Sequence, residues 1–263
     1  YEVPVVMKDI KQEFLDKGLG YIQDELGKLV EKGRLTEAKA RYLFTLVTGT
    51  LDWADFADCD FVIEAVFEQM EIKQQVFAEA EQVVSETCIF ATNTSSLSIS
   101  EMATNLRHPE RVVGFHFFNP VAVLPLVEII RGQQTNDVTL ATVFAAAKQL
   151  RKTGILVKDS AGFLVNRILT KMLADCLDMV DEGADFHLVD EALLSLGLPM
   201  APFELLGFVG PAVAAHVQET LNRAFGPQSF PINDNLKKMV EANIPGIYVG
   251  EPPNRQVDPV LKD

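Results

Sequence analysis

The chain has 263 residues, a formal charge of −14 and only three cysteines, Cys59, Cys88 and Cys176. So acidic a balance excludes nonspecific binding to nucleic acid or to an anionic membrane surface. Scattered thiols with no CxxC pair exclude a disulfide framework or a zinc site and fit a reducing compartment, bacterial cytoplasm or a eukaryotic mitochondrion.

The chain opens Tyr1-Glu2-Val3, without a methionine, and passes at once into the apolar run Val3–Met7. This reads as a short buried strand in a piece cut from something longer. Ile10, Phe14, Gly18, Tyr21, Ile22, Leu26, Leu29 and Val30 follow helical spacing, which predicts a helix over 10–30. Gly33 stops it, and Thr36 caps a second helix running to about Val47. Residues 61–66 form an unbroken apolar strand of the kind buried on both faces of a parallel sheet. A helix over 70–84, a strand over 88–91 and a short helix capped by Ser98 or Ser100 follow. This alternation predicts a doubly wound α/β domain.

Strands are expected over 112–118 and 126–130. Their connection, Asn119 to Pro125, is too short for a parallel crossover, so they should pair antiparallel. A helix over 136–150 and a short strand over 155–157 complete the first domain. Only helices are predicted beyond Asp159, over 162–182, 187–196, 203–225 and 234–243. The expected division is 1–157 and 158–263, with 226–263 unassigned and a proline-rich linker from Pro245 that includes Pro252-Pro253. The apolar density of Leu193, Leu194, Leu196, Leu205, Leu206, Phe208 and Val209 predicts a self-association surface in the helical part.

Doubly wound sheets take their ligands at the carboxyl ends of the strands. In dinucleotide-binding versions an acid ending the second strand holds the ribose hydroxyls, and Asp9 stands just after Val3–Met7. The glycine-rich phosphate loop is absent, because Gly18-Leu19-Gly20 falls inside a helix and lacks a third glycine. Either no dinucleotide binds, or the first strand, loop and helix lie upstream of Tyr1. A fragment favours the second option.

The most specific feature is Phe115-His116-Phe117-Phe118-Asn119-Pro120, followed by Leu124-Pro125-Leu126-Val127-Glu128-Ile129. A lone histidine among phenylalanines is ordinarily a satisfied core residue. Glu128 changes that, because it is a charge inside an apolar strand and adjacent strands bring it within reach of His116. A carboxylate beside an imidazole fixes its tautomer and stabilises the imidazolium, as a general base for an alcohol requires. Neither group is cheaply buried alone.

Four blocks now stand in a recognisable order: Ala91-Thr92-Asn93-Thr94-Ser95-Ser96, the His116 block, the Glu128 block and Gly162-Phe163-Leu164-Val165-Asn166-Arg167. Over Val3 to Phe225 the chain resembles the 3-hydroxyacyl-CoA dehydrogenases. Residues 182–206 look most like the version within the multifunctional α subunit of fatty-acid oxidation complexes. The resemblance implies NAD as cofactor and oxidation of an L-3-hydroxyacyl-CoA to the 3-ketoacyl-CoA in β-oxidation. It implies that His116 takes the 3-hydroxyl proton, Glu128 orients it, Asn119 supports the pair, and Ser95 and Asn166 bind substrate oxygens. On the cofactor side it implies Asp9 for the ribose, with Ala65, Glu68, Lys73 and Asn93 as further contacts. The implied partners are an acyl-CoA and either a second copy or a complex with a thiolase subunit.

The chain departs from that family in two places. Without the glycine-rich loop it should bind NAD weakly, and the family's glycine- and lysine-rich stretch ending in an aromatic is not found after 225. For CoA binding on the first long helix the candidates are Lys28 and Lys32. His108, His187 and His216 read as structural. Two other readings stay open: a non-catalytic assembly module that keeps the fold, and a 6-phosphogluconate-type dehydrogenase, whose lysine base the His–Glu pair argues against.

Overall fold

The computed structural model describes residues 2–250 and 255–261. The chain forms two compact units. The first comprises the chain up to Thr94 together with Ile99–Leu156, and the second comprises Ser95–Ser98 with the chain from Val157 onward.

In the first unit β1 (Val5–Lys8) leads into α1 (Gln12–Glu31), α2 (Glu37–Thr45) and β2 (Val47–Thr50). The Thr36 hydroxyl accepts from the Lys39 amide and caps α2 as expected. Gly18 and Gly20 lie within α1, and a side chain at Gly18 would stand 3.0 Å from Met7. β1 and β2 pair parallel in a two-stranded ladder of their own. The strand β2 was not foreseen: its sequence Val-Thr-Gly-Thr is short, half exposed and interrupted by glycine, so neither strand periodicity shows.

The second ladder holds β3 (Phe61–Glu64), β4 (Ile89–Thr92), β5 (Val112–Phe117), β6 (Leu126–Arg131) and β7 (Thr153–Lys158), in that order. α3 (Met70–Glu81), α4 (Ile99–Met102) and α5 (Asp137–Gln149) connect them. β3, β4 and β5 run parallel, whereas β6 returns antiparallel to β5. Eight residues, 118–125, cannot carry a crossover, and the chain turns back. Val113, Phe115, Val127 and Ile129 pack with Leu140 and Val143 of α5 in a closed core. Phe115 and Phe117, two positions apart on β5, meet edge to face at 4.5 Å. Strand alternation therefore sends the intervening His116 to the opposite face. Cys88 is buried at the start of β4, and burial pushes its thiol up to about 12.

In the second unit α6 (Val165–Asp181), α7 (Phe186–Ser195), α8 (Pro202–Val209), α9 (Pro211–Phe225) and α10 (Asp234–Glu241) precede a two-stranded ladder of β8 (Tyr248–Val249) and β9 (Gln256–Val257). The single helix expected over 203–225 is two helices. Gly210, at φ 90°, takes a conformation that only glycine adopts readily, and Pro211 then starts α9 without needing its missing N–H. Leu173, Cys176, Leu177, Phe203, Leu206, Leu236 and Met239 form the core, so the segment after 225 contributes a helix and a small ladder to it. The Pro252-Pro253 part of the expected linker lies outside the described residues. Of the apolar residues expected at a surface, Leu206 is internal and Leu193 packs against the core, whereas Leu194, Leu196 and Phe208 are exposed. Cys176 is buried on α6, with its thiol pushed up by burial to about 11.

One polar pair is sunk in this second core. Tyr248 Oη donates to Asp190 Oδ2 at 2.6 Å, and the Phe203 amide donates to Oδ1 at 3.0 Å. Burial holds the Asp190 carboxyl above its ordinary range, and these two bonds pull it only partly back. The folded protein therefore binds the extra proton above the unfolded range of about 4, so this group's contribution to stability falls as pH rises through the folded value. Tyr248→Phe removes a bond made to the charged form and should lower stability by about 1–3 kcal/mol near neutral pH. At acid pH, once Asp190 has taken up its proton, the loss should be smaller. Urea unfolding at the two pH values checks this, and equal losses would assign the hydroxyl a packing role only.

Candidate active site

His116 and Glu128 are direct partners in the antiparallel register of β5 and β6, so their side chains rise side by side on one face. His116 Nδ1 lies 2.7 Å from Glu128 Oε2. His116 is 6% exposed and Glu128 is fully buried. A carboxylate only accepts, so Nδ1 carries the hydrogen of the neutral ring and the Nε2 lone pair is the basic one. Phe118 lies against the imidazole, with ring centroids 4.6 Å apart. Gly114 precedes His116 on the same face, and a Cβ there would come within 2.6 Å of Ile130. That glycine permits the close approach of β5 and β6 beside the pair.

The carboxyl ends of β3 and β4 hold a second set of groups. The Asn93 amide donates to the Glu64 carbonyl at 2.9 Å, and its side-chain oxygen accepts from the Phe117 amide at 3.0 Å. Asn93 thus ties three strand ends together. Ala65 is exposed in the turn after β3, and Glu68 stands at the end of that turn before α3. Lys73, on the first turns of α3, is 1% exposed; its ammonium lies 2.8 Å from Glu64 and 3.3 Å from Glu68. Asp9 follows β1 half-buried and accepts from the Ile10 amide. Asn119 stands exposed at the turn after β5, preceding a cis bond to Pro120, and no side-chain hydrogen bond joins it to the His–Glu pair.

In the second unit the Asn166 amide donates to the Ser95 carbonyl at 3.4 Å. Ser98, on the same short segment, donates to Asp159 Oδ2 at 2.9 Å. Gly162 and Phe163 both take positive φ, 65° and 47°, which turns the chain so that Asn166 falls in the first turn of α6. Sequence reasoning assigned Ser95 to the strand-and-helix pattern of the first domain. Its short segment, residues 95–98, groups with the second unit, and no local pattern announces that.

Sequence reasoning also missed Glu64, Thr92, Thr94 and Asp159. Glu64 closes the apolar strand β3, whereas Glu128 stands inside β6. Of the remaining candidates, Lys28 is exposed and paired with Glu25 at 2.6 Å, and Lys32 is exposed at the end of α1. His108 is not without acidic neighbours, since Glu110 lies 3.2 Å and Glu86 3.9 Å away. His187 stacks on Tyr248 and His216 is exposed on α9. Among the described residues no group of three or more His, Cys, Asp or Glu could hold a metal ion, and no helix is long and apolar enough to cross a membrane.

Comparison with known proteins gives a consistent result. The chain is 41% identical to the fatty acid oxidation complex subunit alpha of Pseudomonas entomophila over 91% of its length, but spans only about a third, 33%, of that relative. It is 41% identical to a probable 3-hydroxybutyryl-CoA dehydrogenase of Deinococcus radiodurans, covering 94% of this chain and 89% of that one. The crystal structure of (S)-3-hydroxybutyryl-CoA dehydrogenase from Ralstonia eutropha matches with a TM-score of 0.87 at 37% identity, over 91% of this chain and 86% of that one. Residues 1–160 match the NAD binding domain of 3-hydroxyacyl-CoA dehydrogenase, and residues 162–252 match its C-terminal domain. With the His–Glu pair standing inside the first of these domains and Asn166 inside the second, the chain belongs to the 3-hydroxyacyl-CoA dehydrogenase family.

Proposed function

We propose that the protein carrying this chain oxidises L-3-hydroxyacyl-CoA to 3-ketoacyl-CoA with NAD. The observation that carries the reading is the His116–Glu128 pair, 2.7 Å apart, buried and in register within an NAD-binding domain. His116 Nε2 accepts the proton of the substrate 3-hydroxyl, and the positive ring that results is stabilised by Glu128 at Nδ1. NAD, when bound, supplies the hydride acceptor for C3. The residues fit such a cofactor: Asp9 just after β1 and Glu68 in the turn after β3 present carboxylates where ribose hydroxyls need acceptors. Ala65 leaves the turn after β3 uncrowded, and Asn93 fixes its neighbour strands. Ser95 and Asn166 serve the substrate oxygens, and Asn119 borders the His–Glu pair in sequence.

The proposal extends to assembly and setting. Relatives named as subunits of a fatty acid oxidation complex support a multienzyme complex, with a thiolase as the partner that consumes the 3-ketoacyl product. Exposed Leu194, Leu196 and Phe208 support self-association. The cytoplasm, for a bacterial chain, stays the expected location.

The test is NADH formation by the intact protein with 3-hydroxybutyryl-CoA and with a longer-chain substrate. Stereospecific turnover of the L isomer is the expected result. A protein that binds NADH yet oxidises neither substrate would favour the non-catalytic module instead.

A further inference from the structure

The polar cluster at the ends of β3 and β4 is closed more tightly than ligand contact alone requires. Glu64 is 2% exposed and both of its oxygens are fully engaged. Oε1 accepts from the Val66 amide at 2.6 Å and from Lys73 at 2.8 Å; Oε2 accepts from Lys73 at 3.0 Å and from the Thr92 hydroxyl at 2.6 Å. Lys73 also donates to the Val66 carbonyl at 3.4 Å and lies 3.3 Å from Glu68 Oε2. The other oxygen of Glu68 accepts from Thr94 at 2.6 Å. The ammonium is therefore held between two carboxylates, one sealed in the sheet and one 32% exposed.

We propose that Glu64 is a positioning residue, whose buried carboxylate fixes the Lys73 ammonium against Glu68 and so sets the 65–69 turn on the cofactor side of the site. This rests on the dehydrogenase reading above. The physical reason is that a buried ion pair seldom adds much net stability, because desolvation offsets the attraction. A pair retained in that place instead fixes geometry. Glu64 bonds both the amide of Val66 directly and its carbonyl through Lys73, which pins the first residues of the turn. Lys73 then neutralises the near side of Glu68, whose other oxygen accepts from Thr94. Lys73 itself, enclosed by these acceptors, acts through Glu68 rather than by reaching a phosphate.

Glu64→Gln tests this. The amide is nearly isosteric, but in either orientation its NH2 must face the Lys73 ammonium, which can only donate, beside either the Val66 amide or the Thr92 hydroxyl. Loss of the charge-assisted bonds should raise the KM for NAD and the Kd for NADH about tenfold, with the KM for acyl-CoA within about twofold. The double variant Glu64→Gln/Lys73→Met removes both buried charges. Its thermal midpoint should return toward wild type while the NADH Kd stays raised. Unchanged NADH binding in Glu64→Gln overturns the proposal. So does a double variant in which binding recovers together with stability, since that is the behaviour of a purely structural pair. NADH binding is titrated directly in the intact protein, so a wild type that binds but does not turn over sinks only the dehydrogenase reading. A wild type that binds no NADH sinks both.

Discussion

His116→Gln is expected to lower the turnover of 3-hydroxyacyl-CoA oxidation by at least ~100-fold, the low end for removal of a general base. The glutamine amide can occupy much of the imidazole volume, and its NH2 can still donate to Glu128, so the buried carboxylate keeps a partner. Folding and substrate affinity should therefore change far less than kcat. Steady-state kinetics with the intact protein, alongside thermal unfolding, separates the two effects. A variant that keeps more than about a tenth of wild-type kcat would remove His116 from the role of base.

Glu128→Gln should have the next largest effect, and for a different reason. In the native pair the carboxylate can only accept, which forces the hydrogen onto Nδ1 and leaves Nε2 basic. A glutamine can turn its NH2 toward Nδ1 instead. The ring would then carry its hydrogen on Nε2, the atom that must receive the substrate proton, and it would be the wrong tautomer. Even when the amide oxygen faces Nδ1, no negative charge remains to stabilise the imidazolium. A loss of kcat of at least ~10-fold follows, with an unchanged KM for acyl-CoA. Near-normal turnover would show that Glu128 is only a buried structural acid, and the dyad would have to be abandoned.

The elements that were legible are those whose pattern is local. Residues 70–84, 112–118, 126–130 and 136–150 showed a clear period or an unbroken apolar run, and each emerged within a few residues. The antiparallel return at β6 followed from loop length alone, and with it the meeting of His116 and Glu128. What escaped is instructive. β2 is held by its parallel pairing with β1, a partner more than forty positions away, so nothing in Val47–Thr50 itself proclaims a strand. The break at Gly210-Pro211 was visible as a dipeptide, but the apolar spacing on either side ran on across it. Ser95 joins the second unit through Asn166 and Asp159 contacts made by its short segment, and these are matters of distant sequence. Glu64 was overlooked because the apolar run reads as one strand continuing to Val66, whereas the strand ends at Glu64 itself.

The two sealed thiols give the protein a pair of internal clocks. With burial raising Cys88 to about 12, its thiolate is scarce at pH 8, and its sulfur is also out of reach of solvent. Cys176 is in a similar position on α6. Alkylation of either one must wait until the surrounding structure opens. Because Cys88 belongs to the first unit and Cys176 to the second, peptide-resolved labelling rates time the opening of each separately. Addition of NADH should slow the Cys88 clock, since a ligand that binds only the closed NAD-binding unit lowers the population of its open form.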